Sequence, residues 1–296
     1  MEKVIPEFFN NLLVEQYGKE IAEKITENLQ KDKKVTLRVN KIKASKEEII
    51  EEFNKNNIVF KEIDWYTDAF IIENFREDTI KKLDIYKQGK IYLQSLSSMI
   101  PPLVLNPKAK ENILDMAAAP GGKTTQILSL TRNLAYVTAC ERNVLRGEKL
   151  KYNLEKQGAT SVNVMIEDAG NLSDFFSFDK ILLDAPCSGS GTENVFKSNF
   201  TENLILKSKK AQERLLKKAL KLLKPGGEMV YSTCSILKEE NEEILNKVLK
   251  SSKASLVPVN LSEKIESLPS DIKENLVVAP NELFEGFFVA KIKKDI

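Results

Sequence analysis

Histidine is absent from this chain of 296 residues, and cysteine occurs only as Cys140, Cys187 and Cys234. Without an imidazole there can be no Ser-His-Asp triad, no Cys-His dyad and no zinc site with a histidine ligand. The cysteines are too few for a four-cysteine zinc site, none sits in a CxxC pair, and an odd number completes no disulfide framework. A bound metal is therefore not expected. Long apolar runs are missing too, and nothing approaches the roughly 18 residues that a membrane-spanning helix needs. The start, Met1-Glu2-Lys3-Val4-Ile5-Pro6, lacks the apolar core of a signal peptide. A cytoplasmic protein with no membrane partner is expected. Catalysis would fall to carboxylates, thiols, lysines, hydroxyls or a bound cofactor.

What is present is an ordinary globular composition, long enough for one large domain or two modest ones. The net charge of +2 says little, but its distribution says more. One basic run holds Lys207, Lys209, Lys210, Arg214, Lys217, Lys218, Lys221 and Lys224, opposed by Glu213. A second holds Lys31, Lys33, Lys34, Arg38, Lys41 and Lys43. Either is a solvated surface or a phosphate-contacting one.

From about residue 110, strand and helix signals alternate. Strand-like runs at Ile113–Met116, Ala135–Cys140, Val162–Ile166, Asp179–Leu183 and Glu228–Thr233 are separated by helical patterns at Thr124–Leu130, Arg146–Gln157 and Thr201–Leu223. Pro225-Gly226-Gly227 breaks the last of these, a helix follows over Glu239–Lys250, and Glu285–Ile292 reads as a late antiparallel strand at or near an edge. This rhythm predicts an α/β fold with a doubly wound, mostly parallel, Rossmann-like sheet. The first ninety-odd residues differ. A helical start over Pro6–Leu29 precedes a strand at Val35–Val39, and a helix over Ser45–Asn54 opens with a capping box, Ser45 to Glu48. Strand-like pieces follow at Val59–Ile63 and Ala69–Ile72. We expect a small N-terminal α+β module over 1–95 and a second domain over 96–296, joined near Ser97–Pro102.

The segment Asp115-Met116-Ala117-Ala118-Ala119-Pro120-Gly121-Gly122-Lys123-Thr124 lies between a strand and a helix. In a doubly wound sheet this crossover lies at the ligand crevice. Small residues there let a ligand approach the backbone, and the helix N-terminus offers unpaired N–H groups. Glu141, after the second strand, suits two ribose hydroxyls, and Asp168 ends the third strand. A P-loop would need glycine where Ala117 stands, and no GxGxxG is present. Two further strands end in Asp184-Ala185-Pro186-Cys187-Ser188-Gly189 and Ser232-Thr233-Cys234-Ser235. If these strands are neighbours, Asp184, Cys187 and Cys234 converge on the cofactor crevice. Cys140, inside a strand, reads as a small buried apolar residue. Two thiols and a carboxylate suit attack on carbon 6 of a cytosine, which activates carbon 5 towards an electrophilic methyl group.

Together these motifs resemble the Nop/Sun family of RNA cytosine-C5 methyltransferases. The resemblance extends through Leu37-Arg38-Val39-Asn40, Gln94-Ser95-Leu96-Ser97-Ser98-Met99, Leu223-Lys224-Pro225-Gly226-Gly227, Glu240-Asn241-Glu242 and Gly286-Phe287-Phe288-Val289-Ala290, covering almost the whole chain. It implies a methyltransferase using S-adenosylmethionine, with Cys234 as nucleophile and Cys187 assisting product release. It further implies that Ala117, Ala118, Ala119, Pro120, Gly121, Gly122, Lys123, Glu141, Arg146, Asp168 and Asp184 bind the cofactor, Asp184 also touching the base. The N-terminal module would be RNA-recognition-like. The expected partner is RNA, with ribosomal RNA slightly ahead of transfer RNA, and the expected state is a monomer. Ala117 replaces the family's frequent cysteine, and Asn194-Val195-Phe196-Lys197 replaces its acidic–proline–aromatic stretch. With no appended RNA-binding domain evident, target selection would fall to the N-terminal module and the catalytic surface. The competing readings are a non-catalytic RNA-binding or ribosome-assembly factor and, less favoured, a P-loop nucleotidase.

Overall fold

The computed structural model of the protein describes residues 4–296. Two helices come first, α1 (Glu7–Tyr17) and α2 (Lys19–Gln30). The single helical start read from the sequence is thus broken at Gly18, whose φ of 80° lies in the left-handed region that glycine tolerates. A small antiparallel sheet follows, built from β1 (Val35–Val39), β2 (Phe60–Glu62), β3 (Ala69–Ile72) and β4 (Ile91–Leu93) in the order β2-β3-β1-β4. Helix α3 (Lys46–Lys55) carries the expected capping box and packs Ile49 and Phe53 against Leu37 and Phe70. The short α4 (Glu77–Ile80) and α5 (Asp84–Lys87) lead into β4.

Next comes α6 (Leu96–Leu105), where the sequence suggested a linker. Ser95 caps it, and Leu96, Met99, Ile100 and Leu105 are buried. Pro102 cannot donate to the carbonyl of Ser98 four residues back, and the side chain of Gln94 donates to that carbonyl instead, at 3.0 Å. The large sheet then begins. Its parallel part comprises β5 (Asn112–Asp115), β6 (Tyr136–Cys140), β7 (Val162–Met165), β8 (Phe178–Asp184) and β9 (Leu223–Thr233), with α7 (Gly122–Thr131), α8 (Val144–Gln157) and α9 (Glu202–Leu222) as crossovers. After α10 (Glu242–Leu249) come β10 (Ala254–Val257), β11 (Leu276–Val278) and β12 (Phe287–Lys294). The order is β10-β12-β9-β8-β5-β6-β7, with β11 also pairing with β12. The late strand β12 is antiparallel and near an edge, as expected, with only β10 outside it on the sheet path. Helix α9 stops at Leu222, as expected. The Pro225-Gly226-Gly227 segment lies within β9 itself, where the pairing with β8 shifts register between Phe178 and Lys180.

Both faces of the large sheet are covered, and alternation along each strand assigns the sides. Ile181, Leu183, Met229 and Tyr231 face α9, α1 and α2, whereas Leu182 and Val230 face α6, α7 and α8. Helices α1 and α2 therefore bury Phe9, Leu13, Ile25 and Leu29 in the core of the large sheet, not in that of the small one.

Candidate active site

Strand order reverses between β5 and β8, so the crevice above their C-terminal ends is where this architecture places ligands. The first crossover turn fills one side of it. Gly121 (φ 107°) and Gly122 turn the chain into α7, and a Cβ on Gly121 would lie 3.0 Å from Leu150 Cδ1. Arg146 donates to the carbonyl of Ala119 at 2.8 Å, and Asn153 donates to that of Pro120 at 2.7 Å, so α8 holds the turn in place.

Two clefts meet there. One, of ≈ 210 Å³, is lined among others by Ala117, Ala119, Glu141, Arg146, Asp168 and Cys187. The second, of ≈ 530 Å³, takes in Ala118, Pro120, Gly122, Lys123, Ser98 and Phe287. Ala117, Ala119, Asp184 and Cys234 border both. Of the residues anticipated for the cofactor, Lys123 faces the second cleft, and Gly121 lines neither, serving the turn instead. Cys140 is buried in β6, where burial foremost, with Asp115 adding, pushes its thiol up to about 12.

Pairing of β8 with β9 sets Asp184 opposite Ser232, and the Ser232 hydroxyl donates to Asp184 Oδ1 at 2.8 Å. The loops leaving the two strands bring the sulfurs of Cys187 and Cys234 to 3.1 Å, both as free, half-buried cysteines. Lys123 Nζ lies 2.8 Å from Asp184 Oδ2, donates to Ser98 Oγ at 2.8 Å and sits 5.5 Å from the Phe287 ring centre. Burial would lower the pKa of this ammonium, but Asp184, joined by Asp115 and Cys234, holds it above its ordinary value. Asp115, at the end of β5, is buried, accepts from Thr124 at 2.7 Å, and has no partner on Oδ1. Burial raises its carboxyl to about 6.

In the first cleft, Glu141 Oε1 accepts from the Asn143 amide at 2.9 Å, while Oε2 has Arg146 at 3.6 Å, too long for a hydrogen bond. Asp168 accepts from Gly170 N at 2.8 Å and from Arg214 at 2.7 Å. Although burial opposes it, the Arg214 pair and the amide hold this carboxyl below its usual range. Arg214 also lines the cleft, a placement the sequence signalled only as part of a basic run.

That basic run is mostly paired. Lys209 contacts Glu239 and Glu243, Lys217 contacts Glu213, Lys218 and Lys221 share Asp174, and Lys224 contacts Asp179. In the N-terminal cluster Arg38 is fully buried, Lys41 pairs with Asp68, and Lys43 binds the carbonyls of Gln88 and Lys156. Most of these pairs lie at the surface, and Lys207, Lys210, Lys217 and Lys221 remain exposed along α9. Among the described residues no helix is long and apolar enough to cross a membrane.

Comparison with known proteins agrees with this geometry. Residues 102–293 match the family described as 16S rRNA methyltransferase RsmB/F, and residues 5–77 match the RsmF/B-like, ferredoxin-like domain. A tRNA (cytosine(49)-C(5))-methyltransferase of Pyrococcus abyssi is 36% identical over 86% of this chain and 83% of its own length. Ribosomal RNA small subunit methyltransferase F of Shewanella piezotolerans is 32% identical over 88% of this chain, which spans only 57% of that relative. Among solved structures, a methyltransferase homolog protein from Pyrococcus horikoshii is 33% identical with a TM-score of 0.84, covering 98% of this chain and 100% of its own. At 24% identity, NSun6 from the same organism (TM-score 0.90, 99% of each chain) shows the shared fold. By motif, by architecture and by these matches, the chain belongs to the RsmB/F methyltransferase family, the Sun/Nop group that its sequence resembles.

Proposed function

We propose that the protein is an RNA cytosine-C5 methyltransferase that uses S-adenosylmethionine and works through a covalent bond between Cys234 and carbon 6 of the target base. The observation that carries this reading is the pair of thiols 3.1 Å apart where two clefts meet.

The first cleft has donors and acceptors that fit the cofactor. Glu141 Oε2 lacks a close partner and can accept from ribose hydroxyls, and Asp168 keeps lone pairs for an amine. Ala117 and Ala119 leave the backbone open to close approach, Arg146 holds the turn, and Ala118, Pro120, Gly121 and Gly122 shape it. When bound, S-adenosylmethionine supplies an electrophilic methyl group on a sulfonium centre. The second cleft takes the base, which must be unpaired or flipped out to enter. Cys234 adds to carbon 6 as a thiolate, and the ring becomes nucleophilic at carbon 5. Asp184, on the shared wall, and Lys123, beside it in the second cleft, stabilise the charge that develops on the ring. After transfer, the carbon 5 proton leaves and the carbon 6–sulfur bond breaks, restoring aromaticity. Cys187, in contact with the Cys234 sulfur, assists this elimination.

A boundary near 95/96 is supported by β4 ending at Leu93 and α6 beginning at Leu96. The N-terminal module then helps hold RNA. Both clefts are lined by this one chain, consistent with action as a monomer, and the cytoplasm is the location we propose. The substrate is a cytosine of ribosomal or transfer RNA. The relative spanned over 83% of its length is named for tRNA, which favours that substrate over the ribosomal one first expected.

The test is labelled methyl transfer to total RNA from cells lacking the protein, with nucleoside identification after size fractionation. Label in 5-methylcytidine, lost in Cys234→Ala and accompanied by a trapped protein–RNA adduct in Cys187→Ala, is expected. No label in any RNA fraction despite measurable cofactor binding would overturn the reading in favour of a non-catalytic RNA-binding factor.

A further inference from the structure

Both faces of the small sheet are covered. On one, Leu37, Val39, Phe70 and Ile72 form an apolar cluster with Ile49 and Phe53 of α3. On the other, Thr36, Arg38, Ala69 and Ile71 are buried as well, Ala69 and Ile71 in the cluster that holds Met99 of α6 and Ile127 of α7. Sheets that bind single-stranded RNA stack its bases on aromatic rings of an open face, and here no such face is open. One ring still reaches a cleft. Tyr92, on the edge strand β4, stands opposite Arg38 in the pairing of β1 with β4. It is half-buried and lines the second cleft. The other ring lining that cleft, Phe287, is only 2% exposed.

Tyr92 is also held in place. The Arg38 guanidinium lies over its ring at 5.0 Å from the centre. A Cβ on Gly122 would lie 3.3 Å from Tyr92 Cε1 and 3.5 Å from its hydroxyl oxygen, so the ring rests against the first turn of α7. A side chain fixed in this way loses little entropy when a ligand arrives. The second cleft, at ≈ 530 Å³, falls in the range of about 300–1,000 Å³ that takes a drug-sized ligand, more than one pyrimidine ring fills. Beyond Tyr92 it runs on, because Leu93, Gln94, Ser95 and Glu285 also border a third cleft of ≈ 230 Å³. Charges along that path balance, Lys33 and Lys34 against Glu77 and Glu285, which favours bases over phosphates as the groups held there. We propose that Tyr92 is a stacking platform for the nucleotide next to the target cytosine, and that the RNA strand leaves the site over the end of β4. The inference rests on the reading of the second cleft as the one that takes the base. It gives the N-terminal module a defined part in holding RNA, a ring at the edge of its sheet in place of an open face.

Tyr92→Leu removes the ring and keeps an apolar side chain, whereas Tyr92→Phe keeps the ring. The probes are transfer RNA and small-subunit ribosomal RNA from cells lacking the protein, the one that the wild type binds more tightly being carried forward. Affinity is read by filter binding over a range of salt, with melting temperature and S-adenosylmethionine affinity measured alongside. In Tyr92→Leu the dissociation constant for RNA should rise roughly 5- to 100-fold, the value of one stacked base. The slope of affinity against salt should stay the same, since no phosphate contact is lost. Tyr92→Phe should bind as the wild type does. Ultraviolet crosslinking of the wild type adds a reading that a structural role would not give, RNA attached at Tyr92 in the tryptic peptide 91–108. Unchanged RNA affinity in Tyr92→Leu, or crosslinks confined to other peptides, would overturn the proposal. So would a loss of RNA affinity that merely follows losses in melting temperature and cofactor affinity, which would make Tyr92 a support for Arg38. Should Tyr92→Leu not fold, the crosslink in the wild type decides. Failure of the wild type to bind either RNA would instead defeat the functional reading on which the inference rests, whereas RNA bound without a crosslink at Tyr92 would leave that reading standing.

Discussion

The guanidinium of Arg38, on strand β1 of the small sheet, donates at 3.0 Å to the carbonyl of Gly122, the first residue of the helix behind the cofactor turn. The same nitrogen reaches the Thr125 hydroxyl at 2.8 Å, Nε reaches Gln94 at 2.8 Å, and the guanidinium lies 5.0 Å from the Tyr92 ring centre. The small sheet is therefore bolted to the start of the helix that follows the cofactor turn. Arg38→Met should cost about 2–4 kcal/mol in urea unfolding, because Gln94 and Thr125 lose a buried partner. Arg38→Lys should recover less than half of this, since an ammonium cannot span the fork of acceptors. Both should weaken S-adenosylmethionine binding by calorimetry. An unchanged unfolding midpoint would mean that the two sheets are held together elsewhere.

What the sequence made legible follows from the range over which each signal acts. The order of β5 to β9 could be read because each strand–helix pair writes its own local pattern, and adjacency of β8 and β9 follows from the doubly wound rule. Asp184, Cys187 and Cys234 could be placed together for that reason. Short strands such as Ile91–Leu93 and Leu276–Val278 carry too few residues to show a period. Helix α6 was hidden by Pro101 and Pro102, whose local cost is met by burial and by Gln94, a partner no local rule anticipates. The ion-pair partners of the basic run could not be read, because a count of lysines does not show Asp174 or Glu243 across the fold. Tyr92 carried no signal of its own, because the reach of its strand edge into the second cleft exists only in three dimensions.

Asp115 should leave a mark on the pH dependence of stability. Burial, with Asp184 adding, raises its carboxyl from 3.8 to about 6 against the opposing pull of Thr124 and Lys123. A group raised on folding contributes stability that is fully present below its unfolded pKa and is lost as pH rises through the folded one. Here that window runs from near 3.8 to about 6. The carboxyls of Asp168, Asp174 and Asp179 are lowered and act in the opposite sense, but they are common to both proteins in a comparison with Asp115→Asn. Urea unfolding across this range should show the variant gaining on the wild type by about 2–3 kcal/mol as pH rises. Parallel stability curves would show that Asp115 titrates normally.

Glu141 offers a test of the first cleft that leaves the thiols alone. Glu141→Gln retains an oxygen for the Asn143 amide and removes the charged acceptor. The dissociation constant for S-adenosylmethionine should rise roughly 10- to 100-fold, the value of a charge-assisted hydrogen bond. The alkylation rates of Cys187 and Cys234 should not move. Wild-type affinity in this variant would place the cofactor ribose elsewhere.

Gly191 and Gly286 meet backbone to backbone, the amide of Gly286 donating to the carbonyl of Gly191 at 2.7 Å. A Cβ on Gly191 would lie 2.0 Å from the Gly286 oxygen and 2.8 Å from its Cα, so neither chain can yield by turning a side chain. Gly191 N also holds the carbonyl of Cys234 at 3.0 Å, which means that displacing this loop displaces the nucleophile. Gly191→Ala should therefore destabilise by about 3 kcal/mol or more. Gly18→Ala provides the contrast, because a Cβ there meets nothing within 4 Å and only the φ of 80° resists it. That change should cost about 1 kcal/mol and leave methyl transfer intact. If the two variants lose stability equally, close approach at Gly191 is not what fixes the Cys234 loop. If Gly191→Ala keeps its stability yet loses transfer, the contact serves the position of the sulfur more than the fold.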